Sequence, residues 1–299
     1  MKPRDTSQRR ARMTAVRTLR LADGRGLCVR SWPGSGQEPL VLLHGLLDSS
    51  EGWRRLCERV SGIAFDLPGF GYSDPPSRGS IAGYARDVAE GLDILGIERM
   101  TLVGHSFGGG VAAALAELLA DRVTALVLLA PVGFGRIHLA EVASLPLIRQ
   151  FVEFALPVAL SSRLAVTAAY ATMVTNGAAP DPETVERLTT RSGSLGPGVR
   201  EATRSIAEAG RGPDAAGRRR MLYDGPVRAV WGDRDRLVPV SHSQGVRVAF
   251  PHAEVDVWKG MGHHPMRERI EDLVEVVQAA MAQEGPRLGA AITPRAAAA

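Results

Sequence analysis

Short apolar runs alternate with longer amphipathic stretches along most of this chain. Val16 to Leu21 and Leu27 to Trp32, separated by Asp23-Gly24, read as the two strands of an antiparallel hairpin. Leu40 to Leu43, Ile63 to Phe65, Met100 to Val103, Val123 to Leu129, Val227 to Trp231 and Val255 to Trp258 read as further strands. Between them, helices are predicted near Glu51 to Val60, from Ser80, an N-cap residue, to Leu95, and from Phe107 to Ala120. In the last of these Val111, Leu115, Leu118 and Leu119 recur at helical spacing, which predicts one face packed on the sheet. Strands that alternate with helices predict an α/β protein with a mostly parallel sheet covered on both sides. In such a sheet, functional groups collect beyond the carboxyl ends of the strands.

Between Gly133 and about Tyr223 the pattern changes. Strand-like runs disappear, and helical segments are predicted near Ile137 to Phe154, Ser161 to Val174, Pro182 to Arg191 and Val199 to Ala209. The least polar part, about Leu145 to Thr175, is interrupted by Pro146, Pro157, Arg149, Glu153 and Arg163, so it lacks the roughly twenty unbroken apolar residues that span a bilayer. Its Leu147, Ile148, Phe151, Phe154, Leu160, Leu164, Tyr170 and Met173 could hold the helices together or line an apolar pocket.

Composition narrows this picture without redirecting it. The chain has 299 residues, 45% of them hydrophobic, enough for one large core with an insertion. A formal charge of +4 admits an acidic partner, but the arginines are scattered apart from Arg9, Arg10 and Arg12 and Arg218 to Arg220, with no aromatic interleaving. A solvated basic surface with no nucleic-acid partner is therefore expected. Cys28 and Cys57, the two cysteines, fit neither a disulfide framework nor a metal site, and read as small core residues. The basic start of the chain has no apolar signal region, so residues 1–16 read as a disordered tail, as do 283–299.

Chemistry enters at Gly104-His105-Ser106-Phe107-Gly108, a G-x-S-x-G pentapeptide between the strand ending at Val103 and an alanine-rich helix. A serine on so tight a strand-to-helix turn has its Oγ exposed above the sheet, and only glycine fits where strand and helix nearly touch. The helix starts beside Ser106, so its free N–H groups point at any negative charge developing there. A nucleophilic serine needs a base, and the base needs a carboxylate to orient it. Two carboxylates follow a strand end in Gly232-Asp233-Arg234-Asp235, and two histidines follow a later strand in Gly262-His263-His264-Pro265. The chain order is Ser…Asp…His.

On these motifs, with His44-Gly45 after the strand Leu40 to Leu43 and the stretch Asp66-Leu67-Pro68-Gly69-Phe70-Gly71-Tyr72-Ser73-Asp74, the chain resembles the α/β-hydrolase family over roughly residues 17 to 282. The resemblance implies a core of residues 17–135 and 223–282 with a helical lid over 136–222. It makes Ser106 the nucleophile. It selects His263 over His264 as base, because the histidine of Gly-His-x-Pro follows glycine directly and Glu268 stands at the next helix start. It selects Asp235 over Asp233 as the acid, at the fourth position of G-x-x-D, with Asp233 capping the loop; the alternative position after the sixth strand is empty, since Ala130 to Ala140 holds no carboxylate. The backbone N–H groups of Leu46 and Phe107 become the oxyanion donors, while His44 hydrogen-bonds structurally, His105 beside the nucleophile is a family-typical residue and not the base, and Asp66 to Asp74 shapes a loop. His138, His242 and His252 fall outside the motifs and are expected at the surface or in the lid.

The implied activity is that of a serine hydrolase, without cofactor or metal, cleaving a carboxylic ester or related acyl compound through an acyl-enzyme. Relatives that open epoxides or displace halide carry aspartate where this chain has Ser106. Carbon–carbon bond hydrolases of aromatic ring-fission products share the Ser/Asp/His order, but usually have a more glycine-rich loop than Leu46-Leu47-Asp48 and an aromatic residue where this chain has His264. A non-catalytic ligand-binding protein on the same fold is the third possibility. The expected partner is a small apolar acyl substrate, for a cytoplasmic monomer or homo-oligomer without stable membrane insertion.

Overall fold

In the computed structural model, which describes residues 14–33, 38–77, 79–177, 179–180, 182–190, 196–211 and 216–283, eight strands form one sheet. They are β1 (Ala15–Arg20), β2 (Gly26–Trp32), β3 (Leu40–Leu43), β4 (Gly62–Phe65), β5 (Met100–His105), β6 (Val123–Leu129), β7 (Val227–Gly232) and β8 (Glu254–Trp258). Their order across the sheet is β1-β2-β4-β3-β5-β6-β7-β8. β2 pairs antiparallel with β1 and with β4, and every later pairing is parallel. Of the tails expected over 1–16 and 283–299, residues 1–13 and 284–299 lie outside the described residues, and Ala15 and Val16 already belong to β1.

The helices in chain order are α1 (Arg54–Cys57), α2 (Ile81–Ile94), α3 (Phe107–Leu118), α4 (His138–Ala143), α5 (Pro146–Ser161), α6 (Arg163–Ala169), α7 (Pro182–Thr190), α8 (Gly196–Ala209), α9 (Ser243–Ala249), α10 (Pro265–Glu268) and α11 (Ile270–Met281). Every residue of β3, β5 and β6 is buried, because both faces of the sheet are covered. Alternation along β3 sends Val41 and Leu43 to the face with Val88 and Leu92 of α2 and Val111 and Leu115 of α3. Leu40 and Leu42 go to the other face, with Leu56 of α1 and Leu273 and Val277 of α11. Each such leucine contributes about 1.5–3 kcal/mol by leaving water.

Several elements differ from expectation. Near Glu51 to Val60 the chain forms a 3-10 turn, Ser50–Trp53, and then only the short α1, because the Asp66 carboxylate takes the Ser50 N–H at 2.6 Å and holds the start in a tight turn. Leu118 is 51% exposed, not packed on the sheet: α3 ends there and the chain turns back toward β6. The single helix expected over Ile137 to Phe154 is two, α4 and α5, since Pro146 forces Leu145 into an extended conformation. The one expected over Ser161 to Val174 starts at α6, capped by Ser162, and ends in a π-helical turn, Tyr170–Val174. All of α4 to α8 lies between β6 and β7. No helix among the described residues is long and apolar enough to cross a membrane.

Candidate active site

The parallel strands carry the candidate residues to one edge of the sheet: Leu46 follows β3, Ser106 follows β5, Asp235 follows β7 and His263 follows β8. Ser106 has φ 52° and ψ −114°, the strained turn its motif predicts. Two cross-braces hold it there. Its N–H donates to the Leu129 carbonyl (2.8 Å), and its own carbonyl accepts from Val132 N–H (3.0 Å). Gly108 presses so closely on the Leu43 and His44 carbonyls that a Cβ would collide with them. Phe107 N–H lies in the first turn of α3, where no intrahelical acceptor exists.

His263 is aligned from three sides. Its Nδ1–H donates to Asp235 Oδ2 at 2.6 Å, and both side chains are buried. The other Asp235 oxygen accepts from Leu237 and Val238 N–H, each at 2.9 Å, so the carboxylate cannot rotate away. The His263 N–H donates to Val174 O (2.7 Å) and its carbonyl accepts His105 Nε2–H (2.8 Å). With Nδ1 committed to Asp235, Nε2 is left as the basic nitrogen. No Ser106–His263 hydrogen bond is formed among the described residues; the His105 ring, next to Ser106 in sequence, packs 4.7 Å from that of His263. Glu268 secures the loop by accepting from Gly262 N–H (2.8 Å), His264 N–H (3.0 Å) and Asn176 N–H (3.1 Å).

The rival residues have other partners. Asp233 accepts Gly260 N–H at 2.7 Å and braces the turn after β8 without reaching His263. His264 is buried against His105 and Tyr170, 3.8 Å from Asp48 Oδ2, and burial pushes its imidazole down to about 4, outweighing the opposing pull of Asp48. It is neutral near pH 7. His105 is pushed well below the ordinary range, by burial first and by the neighbouring histidines second.

The chain after β3 passes directly over the serine turn. A Cβ on Gly45 would lie 2.9 Å from His105 Nδ1 and 3.2 Å from Ser106 Cβ, so glycine is required for the approach. Leu46 and Leu47 form the tip of a turn closed by Asp48 N–H to Gly45 O (3.2 Å), with Leu47 at φ 60°. His44 donates from Nδ1 to Gly45 O (2.7 Å) and accepts Leu67 N–H at Nε2 (2.9 Å). Asp66 accepts from Ser50 and Tyr72, and Asp74 accepts Gly26 N–H, tying the loop after β4 to its neighbours.

His138 and His252 are exposed as expected, whereas His242 is buried, because its ring packs on Gly135, which has no side chain to exclude it. Leu164 is 80% exposed and Met173 47%, so neither is enclosed in an apolar lining; Leu160 and Tyr170 are buried. The side chains of Leu147, Phe151 and Phe154 lie outside the described residues. Sequence reasoning missed a buried polar cluster beside the site: Arg187 Nη2 meets Asp48 Oδ1 at 2.7 Å, and Arg267 donates to Thr184 Oγ1 at 2.6 Å with its guanidinium over Tyr170. Arg187 on an amphipathic helix reads as a solvated charge, and nothing local in the sequence links it to Asp48. Among the described residues no group of histidine, cysteine or carboxylate side chains is placed to hold a metal ion.

The family model for the alpha/beta hydrolase fold matches residues 38–269. A dihydrolipoyllysine-residue acetyltransferase component of the acetoin cleaving system from Cupriavidus necator is 31% identical over 268 residues, covering 86% of this chain and 67% of that one. A 2-hydroxy-6-oxononadienedioate/2-hydroxy-6-oxononatrienedioate hydrolase from Paraburkholderia phymatum is 30% identical, covering 80% of this chain and 85% of its own. Among solved structures, an esterase from Exiguobacterium antarcticum superposes with a TM-score of 0.70 at 19% identity, over 88% of this chain and 98% of that one.

Proposed function

Because the chain belongs to the α/β-hydrolase fold family, we propose that it is a serine hydrolase that cleaves a carboxylic ester or related acyl compound through an acyl-enzyme. The observation that carries this reading is the pairing of His263 Nδ1 with the doubly anchored Asp235 carboxylate, at the sheet edge that also presents the strained Ser106 turn. Ser106 Oγ attacks the carbonyl carbon while His263 Nε2 takes its proton, and Asp235 stabilises the imidazolium that forms. The tetrahedral oxygen is received by the Leu46 and Phe107 N–H groups, and loss of one such donor costs about 3 kcal/mol of barrier. His263 then returns the proton to the leaving alcohol, activates a water, and the acid departs.

Helices α4 to α8 act as the lid in this reading, excluding water and shaping the pocket while the core does the chemistry. Uncharged acyl groups are preferred over acidic ones, since the half-buried Arg187 is already matched by Asp48. A second reading, carbon–carbon bond hydrolysis, draws support from the Paraburkholderia phymatum relative. One panel separates them: 4-nitrophenyl esters of increasing acyl length, assayed with the unsubstituted protein and Ser106→Ala. Hydrolysis that peaks at short to medium chains, gaining about 0.8 kcal/mol of binding per buried methylene up to that length, and that disappears in the variant is the expected result. Failure to cleave any ester, together with cleavage of a dienedioate, would move the assignment to the second reading.

A further inference from the structure

Helix α7 reaches both sides of the candidate site with neighbouring residues. Thr184 and Arg187, three positions apart on one helix face, bond to Arg267 after the His263 loop and to Asp48 of the turn after β3. The second contact bears on that turn, whose Leu46 and Leu47 also pack against the core and whose Gly45 carbonyl accepts His44 Nδ1–H. Leu47 occupies the left-handed region, which a residue with a Cβ disfavours. Its own closing hydrogen bond is long, at 3.2 Å. Asp48, at the end of the turn, is buried, and its Oδ2 has no hydrogen-bond partner among the described residues. His264 Nε2 is 3.8 Å away, too far for a hydrogen bond. The Arg187 guanidinium at 2.7 Å is thus the principal anchor of the Asp48 carboxylate, and it is itself only 18% exposed.

We propose that Arg187 is a positioning residue for the oxyanion donor, acting through Asp48: their ion pair holds the Gly45–Asp48 turn so that Leu46 N–H points at the oxygen developing beside Ser106. This rests on the serine-hydrolase reading. The pair has a second consequence. Asp48 lies two residues from the donor, so an unneutralised carboxylate there would oppose the developing oxyanion in a site of low dielectric. Removing Arg187 alone therefore does more harm than removing the charge of Asp48 alone, because it strips the buried carboxylate of its direct partner and leaves Arg267 as the remaining arginine acting on it.

The experiment compares Arg187→Gln, Arg187→Lys, Asp48→Asn and the Arg187→Gln/Asp48→Asn double variant with the unsubstituted protein. The readouts are hydrolysis of 4-nitrophenyl butyrate per folded molecule and inhibition by butylboronic acid, which forms a tetrahedral anionic adduct. Arg187→Gln is expected to lower kcat by roughly 10- to 100-fold with KM within about threefold, and to weaken boronate inhibition by a similar factor. Asp48→Asn is expected to lose less, and the double variant to recover part of the kcat lost by Arg187→Gln. Arg187→Lys, which keeps the charge, is expected to retain most of the activity and keeps the test open should Arg187→Gln not fold. Variants with a lowered melting temperature but unchanged kcat and boronate affinity would overturn this inference alone. Loss of hydrolysis and of Ser106 reactivity with a fluorophosphonate in the unsubstituted protein would overturn the serine-hydrolase reading with it.

Discussion

In the central strands β3, β5 and β6 every residue is buried, whereas in the helices between β6 and β7 Leu139 is 64% exposed and Leu164 80%. The two regions differ in what holds them. In these central strands, each side chain is confined by strand pairing on either side and a helix layer above or below. The insertion leaves apolar residues in water and meets the candidate site through contacts that include Val174 O with His263 N–H, Asn176 N–H with Glu268, Arg187 with Asp48, Thr184 with Arg267, and the Tyr170 ring on His264. Reactivity is therefore expected to belong to the core, and the alignment of its reactive groups to be trimmed by the insertion.

The largest expected effect falls on the core. Asp235→Asn should lower kcat by about 10⁴ by the logic of the triad, because an amide no longer holds the required His263 tautomer. Asp233→Asn, which alters only the bond to Gly260, should leave kcat nearly unchanged and shift the melting temperature. Steady-state kinetics on both variants checks this, and the reverse ranking would exchange their roles.

Stability should divide along the same boundary. Leu102→Ala, between two buried strands, should cost about 2–5 kcal/mol in urea unfolding. Leu164→Ser should change it by no more than about 0.5 kcal/mol. Comparable losses from both would mean that Leu164 is covered in solution, for example by a second molecule, and the contrast between the regions would narrow.

A smaller effect concerns pH. His264 in the folded protein is pushed down to about 4, below its ordinary value of 6.5, so between these values the unfolded chain binds more protons. Its contribution is fully present above about pH 6.5 and is lost as pH falls toward 4, a change of up to roughly 3 kcal/mol. His44, His105 and His242, also lowered mainly by burial, act with the same sign. Unfolding free energies measured from pH 7.5 to 4 should fall with pH, and the slope should be shallower in His264→Gln. An unchanged slope would mean that His264 titrates alike in both states.

Much of the core was legible because its signals are local. β3 and β6 begin and end where the apolar runs do, and Ser80 caps α2 by accepting Gly83 N–H as its position suggests. The glycines around Ser106 mark a backbone approach that only glycine permits, so the serine turn could be read from five residues. The insertion was less legible for the same reason. Its amphipathic period predicted helices but not the break at Leu145, nor that Leu164 would face water. The Arg187–Asp48 pair joins residues 139 positions apart, and neither residue carries a neighbouring signal of it. Glu268 was visible as part of a motif, while its bond to Asn176 of the insertion depends on tertiary placement.

The central claim is that Ser106 is the nucleophile activated by His263 and Asp235, and covalent labelling tests it most directly. The protein is treated with a fluorophosphonate, its intact mass is measured, and the modified peptide is sequenced in the unsubstituted protein, Ser106→Ala and Asp235→Asn. The account predicts a single adduct on Ser106, none in Ser106→Ala, and greatly slowed labelling in Asp235→Asn. Equal labelling of Ser106→Ala, or an adduct on a different residue, would contradict it.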